Sequence, residues 1–471
     1  MPPPVVYQPV TPTPLTVWSA LAFAAVAGGA FFMALRRPAW LLGCLAFFVP
    51  FALYRDVAGT TITLEKALLV GTLAGLLASR ARLWPDSTAA RTILLAGLAV
   101  LLTIVLSFAH ATYLGAVGRE ALKQLEYVLL AWCAIGIVLA RREQAPAALA
   151  IGVGGSLFIV SLVGVLQAAL GGAPSGIAVD HQVVPRVAGT IEGPNQLAGY
   201  LEAAFPVIVF APLLQQRRLV LARAVLIALA ITALVLTQSR AGITMVLLGF
   251  GAALWLDRRS ARSAILPLLV GVAAGVATLA TWYGVITRNP LVGLERFFTL
   301  TVLQNPGGVG TRNQLWTAAV ELFKRNTLFG VGAGNFERLL PTVGLIGVHT
   351  HANSLWLQTL AEQGLIGLFA MFALVFASLR TTFRAAGASW LARAAFIGSA
   401  CLFVHQFVDD LFFYPKVGML WWLLVGAATA AIGVSSQTSA ADQASFPDRM
   451  GGPSSGQSTP TEGSFHLSSR S

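Results

Sequence analysis

Charge is what this sequence has least of. Only 11% of its 471 residues are Asp, Glu, Lys or Arg, against about 25% in an ordinary soluble domain. With 56% hydrophobic residues, the chain has too little polar surface to cover itself in water, which points to an integral membrane protein. Cysteine is nearly absent. Cys44, Cys133 and Cys401 lie inside apolar runs in the manner of small core residues, and they offer neither metal-ligand spacing nor a disulfide frame. Acids are also few: 19 against 31 basic residues, a net charge of +12. The basic residues come as short bursts between apolar runs and do not gather on one face, so a nucleic-acid partner is not expected. The N-terminus, M-P-P-P-V-V-Y-Q-P-V, lacks the basic start of a cleavable signal peptide; Leu15–Leu35 reads as a retained membrane segment. No clear internal repeat is present.

What the chain does have is apolar runs near the roughly 20 residues needed to cross a bilayer. Thirteen candidates fall at 15–35, 39–54, 62–79, 92–109, 120–140, 146–170, 196–214, 219–237, 240–257, 264–286, 353–379, 391–409 and 416–434. The second is short, so twelve spans is the alternative. The fold class is therefore an all-α integral membrane protein with 12–13 transmembrane helices. It divides into an N-terminal tail (1–14), ten spans (15–286), one large loop (287–352), three spans (353–434) and a Ser/Gly/Pro-rich tail (435–471) predicted to be disordered and cytoplasmic.

Every second connection is Arg-rich: Arg36 and Arg37; Arg80, Arg82 and Arg91; Arg141 and Arg142; Arg217 and Arg218; Arg258, Arg259 and Arg262; Arg380, Arg384 and Arg393. The positive-inside rule places these in the cytoplasm and assigns 55–61, 110–119, 171–195, 238–239, 287–352 and 410–415 to the outside. Loops as long as 171–195 and 287–352 are usually functional or disordered. Within the second, L-W-T-A-A-V-E-L-F suggests an amphipathic helix lying on the membrane face or capping a cavity.

Arg186, Arg240, Arg288, Arg296, Arg312, His349 and His351 converge on that outer side. Arg240, in T-Q-S-R-A-G between two apolar runs, must sit close to the membrane surface, where an ionisable group is costly unless it is used or snorkels to headgroups. A guanidinium suits a phosphate because its planar fork donates two parallel hydrogen bonds and stays charged. His349 and His351 are the groups of the large loop that can take a proton from a hydroxyl near neutral pH. A structural role and metal ligation are their alternatives; no third ligand and no D-x-D pair is local, so no metal and no cofactor is expected. The glycines of F-G-V-G-A-G-N-F lack the Lys-Ser/Thr of a phosphate loop and suit close backbone approach. His405 stands about one turn from Asp409 and suggests a structural polar pair.

The ordered set Arg186–Asn195 (R-x-x-G-x-x-x-G-P-N), Thr237–Gly242 (T-Q-S-R-A-G), Arg312–Trp316, Phe329–Phe336 and His349–Leu368 (H-T-H-A-N-S-L-W-L-Q-T-L-A-E-Q-G-L-I-G-L) resembles the O-antigen ligase and polymerase superfamily. The resemblance covers about 186–370. It implies a GT-C-like, metal-independent membrane glycosyltransferase of the bacterial inner membrane, with one large periplasmic loop and its active site facing the periplasm. The implied donor is a glycan on undecaprenyl diphosphate. The acceptor hydroxyl would belong to lipid A–core, to another carrier-linked glycan or to a protein, and membrane lipids surround the site. By motif position, His351 is the implied base. Arg186, Arg240 and Arg312 or Arg296 bind the diphosphate, and Asn195, Asn353, Glu362 and Asp409 support them. The family often reads H-x-H-N before this helix, whereas Asn353 and Ser354 stand there, which leaves His349 open as the base. Ligase and polymerase share this donor chemistry. A secondary transporter is the reading from another class, though its ionisable residues would sit at mid-membrane on broken helices.

Overall fold

A computed structural model describes residues 16–51, 54–57, 60–79, 84–179, 182–291 and 311–444. A helix occupies each of the thirteen apolar segments, and a Ser or Thr side chain caps six of them. Thr16 and Ser19 form a capping box at α1 (Val17–Arg36), and Pro38 opens α2 (Pro38–Phe48). Thr63 caps α3 (Leu64–Ala78) and Ser87 caps α4 (Thr88–Leu106). These side-chain oxygens satisfy N–H groups that a helix start leaves unpaired. Next come α5 (Leu114–Ala140), α6 (Gln144–Ala169), α7 (Pro194–Phe210), α8 (Val220–Leu236), α9 (Arg240–Leu256), the short α10 (Arg258–Arg262) and α11 (Ile265–Thr287).

Seven of the described helices are long and apolar enough to cross a membrane by length and composition; α2, α8, α9 and a later helix at Trp390–His405 are shorter apolar helices. The protein is an all-α multi-pass membrane protein. Among the described residues the strands form two hairpins, β1 (Tyr54–Val57) with β2 (Thr60–Thr63) and β3 (Ser175–Val179) with β4 (Gln182–Arg186), both antiparallel. The main core runs through the helices, and α7 lies at its centre: every α7 residue except Asn195 is buried. That position explains how Gln196 and Glu202 come to sit in an otherwise apolar interior.

The polar stretch after α11 is folded in its own right. It contains α12 (Arg312–Arg325), capped by a Thr311–Gln314 box, and the short α13 (Phe336–Leu339). Leu315, Ala318, Ala319 and Leu322 of α12 meet Phe336, Leu340 and Ala361 in a small separate core. The amphipathic pattern is thus used to cap the bundle. The stretch leads into α14 (Leu355–Ala385), which is capped by Ser354, and then α15 (Trp390–His405) and α16 (Pro415–Ala444) follow. The last helix runs to Ala444, beyond the expected end at 434. A compact unit ends at Gly433. Of the expected tails, 1–14 and 445–471 lie outside the described residues.

The candidate active site

The glycine-rich motifs build the platform. Gly364 breaks α14 with φ 64 and ψ −161, a conformation open to glycine. The loop 327–332 fills the break. Val331 and Gly332 donate to the carbonyls of Ala361 and Glu362 at 3.0 and 2.9 Å, while Leu365 and Ile366 donate to Thr327 and Leu328 at 2.9 and 3.2 Å. A Cβ on Gly330 would overlap the Glu362 backbone, and one on Gly364 would overlap Leu328. The F-G-V-G-A-G and E-Q-G-L-I-G motifs are therefore two halves of one joint, with no phosphate loop between them. Glu362 locks it: its Oε1 accepts from the Phe336 N–H at 3.0 Å and from Gln358 Nε2 at 2.8 Å. Gln358 Oε1 in turn accepts from the Ala352 N–H at 2.8 Å, one residue beyond His351.

His351 is thereby held at the start of α14, and the same helix start docks on a turn from the far end of the chain. The Leu355 N–H donates to the carbonyls of Gln406 and Asp409 at 3.0 and 3.1 Å. His351 Nε2 lies 3.9 Å from Asp409 Oδ1, and the ring packs on Phe413 at 4.9 Å. Asn353, at φ 51, turns its N–H onto His351 Nδ1 at 3.1 Å. A neutral ring so held carries its proton on Nε2, the atom facing Asp409.

Asp409 connects histidine to arginine. Its Oδ2 accepts from Asn195 Nδ2 at 2.6 Å, and Asn195 Oδ1 accepts from an Arg186 guanidinium nitrogen at 2.9 Å. Arg186 Nε donates to the Thr237 carbonyl at 2.7 Å. Gln238, at φ 53, donates to the Pro185 carbonyl at 2.9 Å. These bonds pin the end of β4 to the turn before α9, so Arg186 and Arg240 share one corner. Arg312 lies close enough to Arg240 for their like charges to interact, and its buried Nε has no hydrogen-bond partner among the described residues.

The predicted residues therefore separate. Arg186, Asn195, Arg240, Arg312, His351, Asn353 and Asp409 come together, and Glu362 supports them from behind. His349 does not join: its side chain is 81% exposed and faces Glu337 at 3.4 Å. Arg296 lies outside the described residues. His405 does not pair with Asp409; its Nδ1 meets Glu202 Oε1 of α7 at 2.6 Å, with both side chains sealed from solvent.

Sequence reading missed the wall beyond His351. There a cleft is lined by Glu120, Lys123, Gln124, Asp410, Phe412 and Phe413 among others. Burial holds the Asp410 carboxyl above its ordinary range, even though His351 and Lys123 favour its charge. The signal in the sequence was a run of polar residues at one helical face of α5, hidden in an apolar segment. Among the described residues, no group of three or more His, Cys, Asp or Glu is placed to hold a metal ion.

A cluster of arginines joined to a histidine–carboxylate pair, mounted on a multi-pass helical bundle, is an arrangement suited to anionic substrates. The comparison with protein families gives this a name. Residues 224–372 match the family described as O-antigen ligase, so this part of the chain is similar to that family. The match spans Arg240, Arg312, His351 and Glu362; Arg186, Asn195 and Asp409 reach the site from outside it. No curated protein matches the chain.

Proposed function

We propose that the protein transfers a glycan from undecaprenyl diphosphate to an acceptor hydroxyl on the periplasmic face of a bacterial inner membrane. The observation that carries this reading is the hydrogen-bonded chain from Arg186 through Asn195 and Asp409 to the gap before His351, with Arg240 and Arg312 beside it. The Arg-rich loops alternate on the opposite side of the bundle, which supports a periplasmic site.

The donor's diphosphate lies against the three guanidiniums. The acceptor hydroxyl lies to one side of His351 Nε2 and Asp409 Oδ1, which stand 3.9 Å apart, and there it accepts from Nε2–H and donates to the carboxylate. As its oxygen bonds to the anomeric carbon, the bond from that carbon to the diphosphate oxygen breaks. The hydroxyl proton passes to Asp409, and the lipid diphosphate leaves with both electrons. With Nδ1 engaged by Asn353, His351 acts as a donor and the carboxylate takes the proton, a division of labour that the histidine-base expectation did not contain. The guanidiniums act where negative charge develops, the largest single contribution in many enzymes. Single displacement inverts the anomeric centre. The cleft with Glu120, Gln124 and Phe413 offers carboxylates, amides and rings to sugar hydroxyls, so the two sides of His351 differ in the chemistry they receive.

Purified protein in lipid, a labelled undecaprenyl-diphosphate glycan, and lipid A–core or no added acceptor make the test. Transfer to lipid A–core identifies a ligase, and chain lengthening without added acceptor identifies a polymerase. Transfer that persists in chelator supports the guanidinium mechanism. Folded protein with no transfer under either condition overturns the proposal, and flux across the bilayer then tests the transporter alternative.

A further inference from the structure

At the face opposite His351, the end of α1 and the start of α2 meet the end of α5 and the start of α6 around a cleft of about 640 Å³. Arg36, Arg37 and Arg141 line its rim, and all three are exposed. No acidic residue lines it, and none of the three makes an ion pair among the described residues. The floor is rigid. A Cβ on Gly43 would come within 2.6 Å of the Ala148 carbonyl oxygen, and one on Gly152 would overlap the Gly43 carbonyl, so α2 and α6 cross backbone to backbone. Below the arginines the wall is apolar, made by Ala147, Ala148 and Ile151. Trp40 and Ile151 of the lining are exposed apolar side chains, which in a membrane-spanning bundle meet acyl chains. Both α2 and α6 begin at this cleft, adding the positive ends of their dipoles.

We propose that this cleft binds the phosphate of an anionic phospholipid, with the headgroup between Arg36, Arg37 and Arg141 and an acyl chain running down past Ile151. A soluble anion would use the arginines but not the wall. A lipid uses both, because Ile151 lies seven residues beyond Gln144, about 10 Å down α6 at helical rise. The fixed Gly43–Gly152 crossing keeps the pocket preformed, which lowers the cost of ordering it on binding.

Native mass spectrometry of the full chain, released from mixed phosphatidylglycerol and phosphatidylcholine, tests this. The triple variant Arg36→Gln, Arg37→Gln, Arg141→Gln should retain at least one phosphatidylglycerol fewer than wild type. Its affinity should fall on the order of 100-fold, from about fivefold per basic residue near a membrane surface. Retained phosphatidylcholine should not change. A matched variant, Arg258→Gln, Arg259→Gln, Arg262→Gln, removes the same charge elsewhere and should behave as wild type. Equal retention in all three proteins, or equal loss in both variants, overturns the proposal. So does displacement of the lipid by inorganic phosphate, which would make the cleft a site for free anions. Unaltered protein gives an independent reading: photoactivatable phosphatidylglycerol should crosslink to peptides covering 36–40 or 141–151, and crosslinks found only elsewhere sink the idea.

Discussion

Two histidine–carboxylate pairs meet where α15 ends, and they are built in opposite ways. His405 Nδ1 and Glu202 Oε1 lie 2.6 Å apart, sealed between α15 and α7. The other Glu202 oxygen is buried without a partner among the described residues, so there the carboxylate depends on this single bond. His351 Nε2 and Asp409 Oδ1 lie 3.9 Å apart, beyond direct hydrogen-bond range. Asp409 instead bonds Asn195 and the Asp410 N–H, and His351 bonds the Asn353 N–H. The first pair is closed on itself and braces two helices. The second leaves His351 Nε2 and Asp409 Oδ1 near each other but unbonded to one another, so a third group lying to one side can meet both. Residue types are nearly the same in both, and it is the satisfaction of their hydrogen bonds that separates a brace from the proposed reactive centre.

That contrast can be broken experimentally. The largest effect should come from His351→Ala or Asp409→Asn. Glycan transfer should fall by about 10²–10⁴-fold in Asp409→Asn, as for loss of a proton-transfer group, and by about 10²–10³-fold in His351→Ala, as for loss of a preorganised donor, with thermal unfolding little changed for His351→Ala. Retained transfer in either variant would remove that residue from the reactive centre. Next in size, His405→Ala should act on stability. It leaves Glu202 buried and unpaired, which costs about 3–5 kcal/mol when a buried pair loses one partner. Unfolding in detergent should shift to lower temperature, while transfer per folded molecule changes far less than in His351→Ala. The reverse ranking would exchange the roles of the two pairs.

A smaller effect sharpens the comparison through pH. Asp410 sits beside the open pair, and burial raises its carboxyl above the ordinary range. The folded protein therefore binds this proton more tightly than the unfolded chain does. The resulting stability is complete below the ordinary aspartate value and is lost as pH rises through the raised one. Asp410→Asn removes that dependence while its amide oxygen can still accept from the Phe412 N–H, seen at 3.2 Å in the native protein. Unfolding temperature against pH should be flatter in the variant; identical slopes would show that Asp410 titrates normally. The smallest effect belongs to His349→Ala. Its exposed contact with Glu337 is a surface pair, worth about 0–1 kcal/mol, and transfer should stay at the wild-type level. A large loss would return His349 to the site.

Composition and apolar run length were enough to determine the bundle, because burying backbone in a bilayer leaves helices as the economical choice and their length is set by its thickness. The motif order also led to Arg186, Arg240, Arg312 and His351, since guanidinium and imidazole chemistry is written in the residue types themselves. Three things were decided only by tertiary structure. Which of two histidines two residues apart faces the arginines depended on the Gln358–Glu362 support and the left-handed turn at Asn353. The partner of His405 was Glu202, some two hundred residues earlier in the chain, although Asp409 was one turn away. The glycine motifs proved to be a joint because the two stretches carrying them lie against each other. Each of these turns on contacts between residues distant in sequence, and such contacts are fixed by how the helices pack, which a local pattern does not encode.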